Sequence, residues 1–532
     1  MLLLLRKLWI TTGVFNNKRE KEKKLMKRGL DVKLNVRPIF IALVHEAYYE
    51  GPCRFGSGEA LQPGFDTLVS HQIYEQFVQK VKDSVPECVT VLDPVYVERD
   101  DTWITKEELY ETLLQGREET DFYIVNSGIG RSDITLEFAL RSKKPLAIAP
   151  DRCCELPIIN ASMRSRGLEV YAARTWKELA VQLRALYLKK VMENTRILLA
   201  TRMNSNRSMS AVDTFLNFDE VTQKLGVQFR YINVHELMDQ MRPLEEGGNH
   251  TTPGRITNNI TEDEITEMEK LADKLVSGAD EVDIKREFLV KELMAYAVVM
   301  KNLEAYDCNA FSMPCPDACS TRRLNELQFT PCLIHSLLNE QGIPSACEYD
   351  VNAALSMMLL EAISGNAAYM GNTNVLPYED GELIKADGMA AMQFPEIEDK
   401  ENLYHTWHST HNRKMHGIEE KAAPYAIRHF AYDQGFGPVF RYDYNRDAGQ
   451  VITTVRFSPD LKKLFVGKGE IVCGGDYDKN NCNNYLIYRV ADQKKYFDAQ
   501  MEVGTHLPLT YGDFTQELKL FGECVGLEVL MV

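Results

Sequence analysis

A chain of 532 residues is too long for one hydrophobic core, because cores stop growing at about 250–300 residues. Hydrophobic residues at 45% and charged residues at 26% exclude a largely disordered chain. A formal net charge of -16 argues against a nucleic-acid binder, which needs a basic stripe to neutralise phosphates.

The first residues, Met1 to Leu5, are apolar, and a basic run follows from Lys18 to Arg28. A secretory signal carries its charge first, and a membrane span needs about 20 apolar residues. Residues 1–36 therefore read as a disordered extension or as a start placed too far upstream, with Met26 as an alternative. A weak membrane-surface anchor stays open. The 12 cysteines show no Cys-x-x-Cys pair, so they read as free thiols of a cytoplasmic protein.

From Arg37 the pattern alternates strand and helix. Pro38–Val44, Val89–Leu92, Asp121–Val125, Pro145–Ala149 and Leu168–Ala172 read as buried strands. Thr67–Lys82 and Trp176–Met192 read as helices between them. Such alternation predicts a parallel sheet covered on both faces. A second unit of this type opens at Arg196, with strands at Ile197–Ala200 and Phe229–Val234. The polar stretch Pro243–Asn259 reads as a loop. Thr261 with Glu264 forms a capping box that opens a helix, and a long helix covers Ile284–Leu303. Beyond Gly365 the texture becomes β-rich, at Val439–Tyr444, Val451–Phe457, Lys463–Val472 and Tyr485–Val490. This predicts an antiparallel sheet with one wet face. The chain closes with a helix over Thr515–Cys524 and a strand over Leu527–Val532. The expected fold class is α/β: two Rossmann-like parallel-sheet domains at 37–193 and 194–364, then a β-rich C-terminal domain at 365–532.

Candidate chemistry is sparse. Ser127 to Ser132 (SGIGRS) lacks the third glycine of a dinucleotide loop and reads as a strand-to-helix turn. Cys347-Glu348-Tyr349-Asp350 lies between a strand and a helix. On an extended backbone its two carboxylates point the same way. Equally, Asp350 can cap the helix while Glu348 pairs with a cation. His405, His408, His411 and His416 crowd one segment with no acidic residue among them, and they read as an exposed loop near an active site. His506 stands in GTHLPLTYGDF at the entry to a β segment.

Taken together, FSMPCPD (Phe311 to Asp317), PCLIHSLLNEQGIPSACEYDVNAALSMMLLEAISG (Pro331 to Gly365) and GTHLPLTYGD (Gly504 to Asp513) resemble the L-fucose isomerases. The L-arabinose isomerases are similar in fold. The resemblance runs in order from about Arg37 to the end of the chain. It implies interconversion of an aldose and a ketose through a cis-enediol, with a divalent metal, usually manganese, bound by two acidic residues and a histidine. That proton is weakly acidic, so the developing charge needs a cation beside it and a carboxylate base within reach.

Carried over by residue, the resemblance puts Glu348 at the first acidic ligand and base, and His506 at the histidine ligand. Asn372 stands where the second acidic ligand is expected; it offers a carbonyl oxygen but no charge. Asp350, Asp387 and Arg54 are expected near the substrate, with Ala386 and Asp387 where relatives carry a His-Cys pair. The implied partners are a pentose, deoxyhexose or modified sugar and further copies of the chain, as a trimer or hexamer, with no membrane. Loops such as His45–Gly56 would then complete a neighbour's site. Asn372 motivates a second reading, an isomerase-fold protein that has lost its metal site and binds a sugar or catalyses another step.

Overall fold

The computed structural model describes residues 27–532 apart from 52–53, 101, 103, 128–130, 152–155, 202–215, 245–257, 316–317, 319–321, 386–391 and 481–482. The N-terminal extension through residue 26, the middle of the 127–132 turn, most of the 243–259 loop and Ala386 with Asp387 lie outside the described residues. The chain forms two compact units, one of them Val32–Lys190, the other Val191–Val532 joined by the described residues before Val32.

The Val32–Lys190 unit is built on a parallel sheet. Its strands are β1 (Leu34–Leu43), β2 (Val89–Val91), β3 (Val95–Arg99), β4 (Phe122–Ser127), β5 (Leu146–Ile148) and β6 (Val170–Tyr171). The continuous apolar run of β1 marks a strand covered on both faces, and only Asn35 within it is not buried. Pro38 lies inside this central strand, where a missing N–H is normally disallowed. The register explains it. Leu34–Val36 pair with β2 and Ile39–Leu43 pair with β3, so Pro38 falls at the changeover between two neighbours. Strand β3 was not anticipated, because Val95–Arg99 carries Glu98 and Arg99 and looks polar.

In the other unit a second parallel sheet has the order β11 (Ser345–Ala346), β10 (Ala310–Ser312), β7 (Arg196–Thr201), β8 (Gln228–Asn233). The capping box forms as expected. Thr261 accepts from the Glu264 N–H at 3.2 Å, and Glu264 accepts from the Thr261 N–H at 2.9 Å. The helix Val351–Ser364 follows β11. Its sequence, VNAALSMMLLEAIS, is apolar on every side, and it is correspondingly buried all round. A polar anchor on the next sheet is Asn352, which exchanges two hydrogen bonds with the Phe457 backbone, at 2.7 and 3.2 Å.

The C-terminal region carries the antiparallel sheet. The short β9 (Glu281–Asp283) pairs ahead of it with β16 (Ala426–His429), which pairs in turn with β17 (Pro438–Arg441). The main sheet runs β12 (Asn372–Val375), β15 (Leu403–Trp407), β20 (Tyr485–Val490), β19 (Lys463–Gly475), β18 (Val451–Phe457), β21 (Leu509–Tyr511). The terminal β22 (Glu528–Met531) adds to β19 in parallel, and β13 (Tyr378–Glu379) with β14 (Glu382–Leu383) forms a small hairpin. The fold is thus α/β, two parallel sheets with helices followed by a β-rich region. One expectation is overturned. The histidine segment is not an exposed loop, since β15 includes His405, and His405, His408 and His411 are all buried. Tyr404, Thr406 and Trp407 supply the strand propensity that the interleaved histidines disguised.

Cys88, Cys308, Cys315, Cys332, Cys347 and Cys473 carry free thiols. Among the described residues no helix is long and apolar enough to cross a membrane.

Candidate metal centre

Glu348 sits just beyond the carboxyl end of β11, where ligand sites form in open parallel sheets. Its backbone is unusual. Glu348 and Tyr349 both have φ of 60°, in the left-handed region that suits glycine. Each such residue costs on the order of 1–3 kcal/mol and persists only where its surroundings hold it. Here the Tyr349 N–H donates to the Met313 carbonyl at 3.1 Å, and the Asp350 N–H to the Cys347 carbonyl at 3.0 Å. The backbone is therefore not extended. The turn leaves the Glu348 side chain 25% exposed and buries Asp350 completely.

Asp350 serves three partners. It caps the helix Val351–Ser364 by accepting from the Ala353 N–H at 2.6 Å. It pairs with the fully buried Arg456 at 3.1 Å. It also meets His506 Nδ1 at 2.6 Å. Burial alone would raise the Asp350 pKa, but Arg456 and His506 outweigh it and hold the carboxyl below its ordinary range. An ionised Asp350 can only accept, so His506 Nδ1 carries the proton and donates it. In the neutral tautomer this leaves the lone pair on Nε2. That atom is buried, has no hydrogen-bond partner among the described residues, and faces Glu348 Oε2 at 3.9 Å. A ligand imidazole oriented by a carboxylate behind it has this arrangement.

The sheet brings in a third group. Asn372, the first residue of β12, is bridged to His506 on one side and paired with Trp407 on the other. His408 follows Trp407 directly. Its Nε2 lies 3.6 Å from Glu348 Oε1, and its ring stands at 87° to that of His506 with centroids 5.7 Å apart. Glu348, His408 and His506 each present a donor atom, all within 4.8 Å of one another. Burial pushes the Glu348 pKa up, yet the two imidazoles more than compensate and keep it below the usual carboxylate range. An ion bound tetrahedrally at about 2.0–2.1 Å from each donor would separate the donors by about 3.4 Å. The two imidazole-to-carboxylate spacings, 3.6 and 3.9 Å, lie near that value and the third lies within 4.8 Å, so the donor set is of a kind that could hold a divalent cation.

The structure thus brings Glu348 and His506 together and places the Asn372 backbone beside them. Arg54 belongs to the Val32–Lys190 unit, where its guanidinium bonds the carbonyls of its own loop at Glu50, Gly51 and Gly56. Asp387 lies outside the described residues. His405 and His411 turn away from the centre: His405 Nδ1 bonds the Asn374 carbonyl at 3.2 Å, and His411 Nδ1 bonds the Tyr444 hydroxyl at 2.9 Å. His408 was missed as an individual residue. Its carboxylate partner is Glu348, far away in sequence, so a search for acids among the neighbouring histidines could not find it.

No family model matches the chain. The chain is similar to the sulfoquinovose isomerases of Priestia aryabhattai and of Priestia megaterium (strain ATCC 12872 / QMB1551), at 24% identity over 315 residues in each case. The matched stretch is 59% of this chain, and the chain spans 59% of the length of each relative. The similarity is to sugar isomerases and does not single out the fucose-specific ones.

Proposed function

We propose that the chain is an aldose–ketose isomerase whose centre is Glu348 with His506, working with a divalent cation on a modified sugar of the sulfoquinovose kind, a pentose or a deoxyhexose. The observation that carries this reading is the buried His506 Nε2, without a hydrogen-bond partner among the described residues and 3.9 Å from Glu348, while Asp350 fixes its other nitrogen. The similarity to sulfoquinovose isomerases supports the reaction class.

His506 and Glu348 would hold the cation, with His408 in reach and Asn372 alongside. A cation there makes the hydroxycarbonyl group of the sugar more acidic and steadies the negative charge that develops on it. Of the three converging side chains, Glu348 is the accessible one, with 25% exposure against 6% for His408 and none for His506. It is therefore the group that can touch the substrate. Kept ionised, it takes the proton from C2 of the aldose and returns it to C1 of the ketose. A second proton passes from the hydroxyl on C2 to the oxygen on C1, so no atom is gained or lost. Asp350 contributes by position. Both of its oxygens are engaged and it has no exposed surface, so it orients His506 and does not contact sugar.

Incubating the purified chain with a panel of aldoses, sulfoquinovose among them, and a divalent cation tests the reading. Glu348→Gln should then lower turnover by roughly 10²–10⁴-fold. Absence of a ketose from every sugar would overturn it and favour the metal-free, sugar-binding alternative that Asn372 motivates.

A further inference from the structure

We infer that this centre selects a borderline divalent cation, of the class of zinc, cobalt(II) or iron(II), over a hard one such as manganese or magnesium, and that His408 is the residue that sets the preference. The inference rests on the location of the proposed centre, and it deepens that reading by naming the metal class.

The donor inventory decides it. The converging groups are two imidazoles and one carboxylate. Hard cations such as magnesium and manganese favour carboxylate, carbonyl and water oxygens, whereas imidazole suits zinc, iron, copper and nickel. One carboxylate with two histidines and an open position is a donor set used for zinc and for non-haem iron. The position that could have supplied a second anionic oxygen is occupied by Asn372. The sheet register shows that this place is close to the centre, since Asn372 bridges to His506 and pairs with the residue before His408. What the centre lacks in carboxylate it gains in imidazole, one strand away.

Both histidines turn a ring nitrogen toward Glu348. His506 has its tautomer fixed by Asp350. His408 is 6% exposed, its Nε2 faces Glu348, and its Nδ1 is buried without a hydrogen-bond partner among the described residues. His408 Nε2 and His506 Nε2 both face the Glu348 carboxylate, at 3.6 and 3.9 Å.

The test measures binding, separately from turnover. Metal-free protein is titrated with zinc and with manganese, as wild type and as His408→Asp. Replacing an imidazole by an oxygen donor should reduce the ratio of zinc to manganese affinity by about tenfold or more. In parallel, copper(II)-loaded wild type is examined by pulsed electron paramagnetic resonance, which counts bound imidazoles through their remote nitrogens. Two are expected. An unchanged affinity ratio in a folded His408→Asp protein, or a single imidazole on copper, would overturn the inference. The wild-type measurement decides alone should the variant fail to fold. Two imidazoles with no turnover of any sugar would remove the isomerase reading and leave this one standing. Manganese-dependent turnover with one imidazole would do the reverse.

Discussion

The two sides of the centre are built differently. On one side His506 is held from behind: its Nδ1 donates to Asp350, and Arg456 bonds Asp350, the His506 carbonyl and the Val503 carbonyl. On the other side His408 Nδ1 has no hydrogen-bond partner among the described residues. The same kind of side chain is thus held from behind at one position and met only on its Glu348 side at the other. The supported histidine defines where a ligand must sit, and the unsupported one adapts to it.

Removing the support should have the largest effect. Asp350→Ala removes the carboxylate that balances the buried Arg456 charge, uncaps the helix Val351–Ser364 and releases His506. Losing one member of a buried pair costs about 3–5 kcal/mol, which urea unfolding would read directly. A loss under about 1 kcal/mol would show that the tethered side is not the rigid one. Next comes a comparison of the histidines themselves. His506→Gln should lower cation affinity more than His408→Gln, with the gap on the order of 10–100-fold that outer partners typically contribute. Equal losses would erase the distinction. A smaller change sharpens it from a third direction. Asn372→Asp adds an anionic oxygen beside His506 and should strengthen manganese binding more than zinc binding, by about tenfold, in parallel titrations.

A further effect concerns histidines outside the centre. Burial lowers His335 to about 3 and His405 to about 4, from an ordinary 6.5. Both stay neutral in the fold, and the unfolded chain takes up their protons first. Their contribution is complete above pH 6.5 and is lost as pH falls from 6.5 toward 4 for His405 and toward 3 for His335. Unfolding midpoints measured across that window should fall with pH, and His405→Gln should flatten the upper part of the decline.

The parallel sheets were legible in the sequence because their strands are continuous apolar runs such as Pro38–Val44, and the capping box at Thr261 was readable from two residues. Strands β3 and β15 were not, since charged or histidine residues occupy positions that tertiary contacts, and not local pattern, make acceptable. In the centre, Glu348 and His506 were reachable through the segments around them. The capping role of Asp350 was readable from its place before the helix, whereas the turn that parts it from Glu348 was hidden, because nothing in Cys347-Glu348-Tyr349-Asp350 announces a left-handed pair of non-glycine residues. His408 was hidden by distance along the chain, and it became visible only through the pairing of β12 with β15.

The left-handed backbone at Glu348 carries a consequence for how sequence variation here would be read. Glycine relieves the backbone penalty at such a position, and the Glu348 side chain is partly exposed, so little packing is lost with it. Glu348→Gly should therefore leave the fold at least as stable while abolishing turnover. A library of variants screened for abundance in cells would enrich glycine at 348, and the same library screened for growth on the substrate would purge it. A single position would then report, by the sign of its disagreement between two screens, what the chain gives up in stability to keep a carboxylate at that turn.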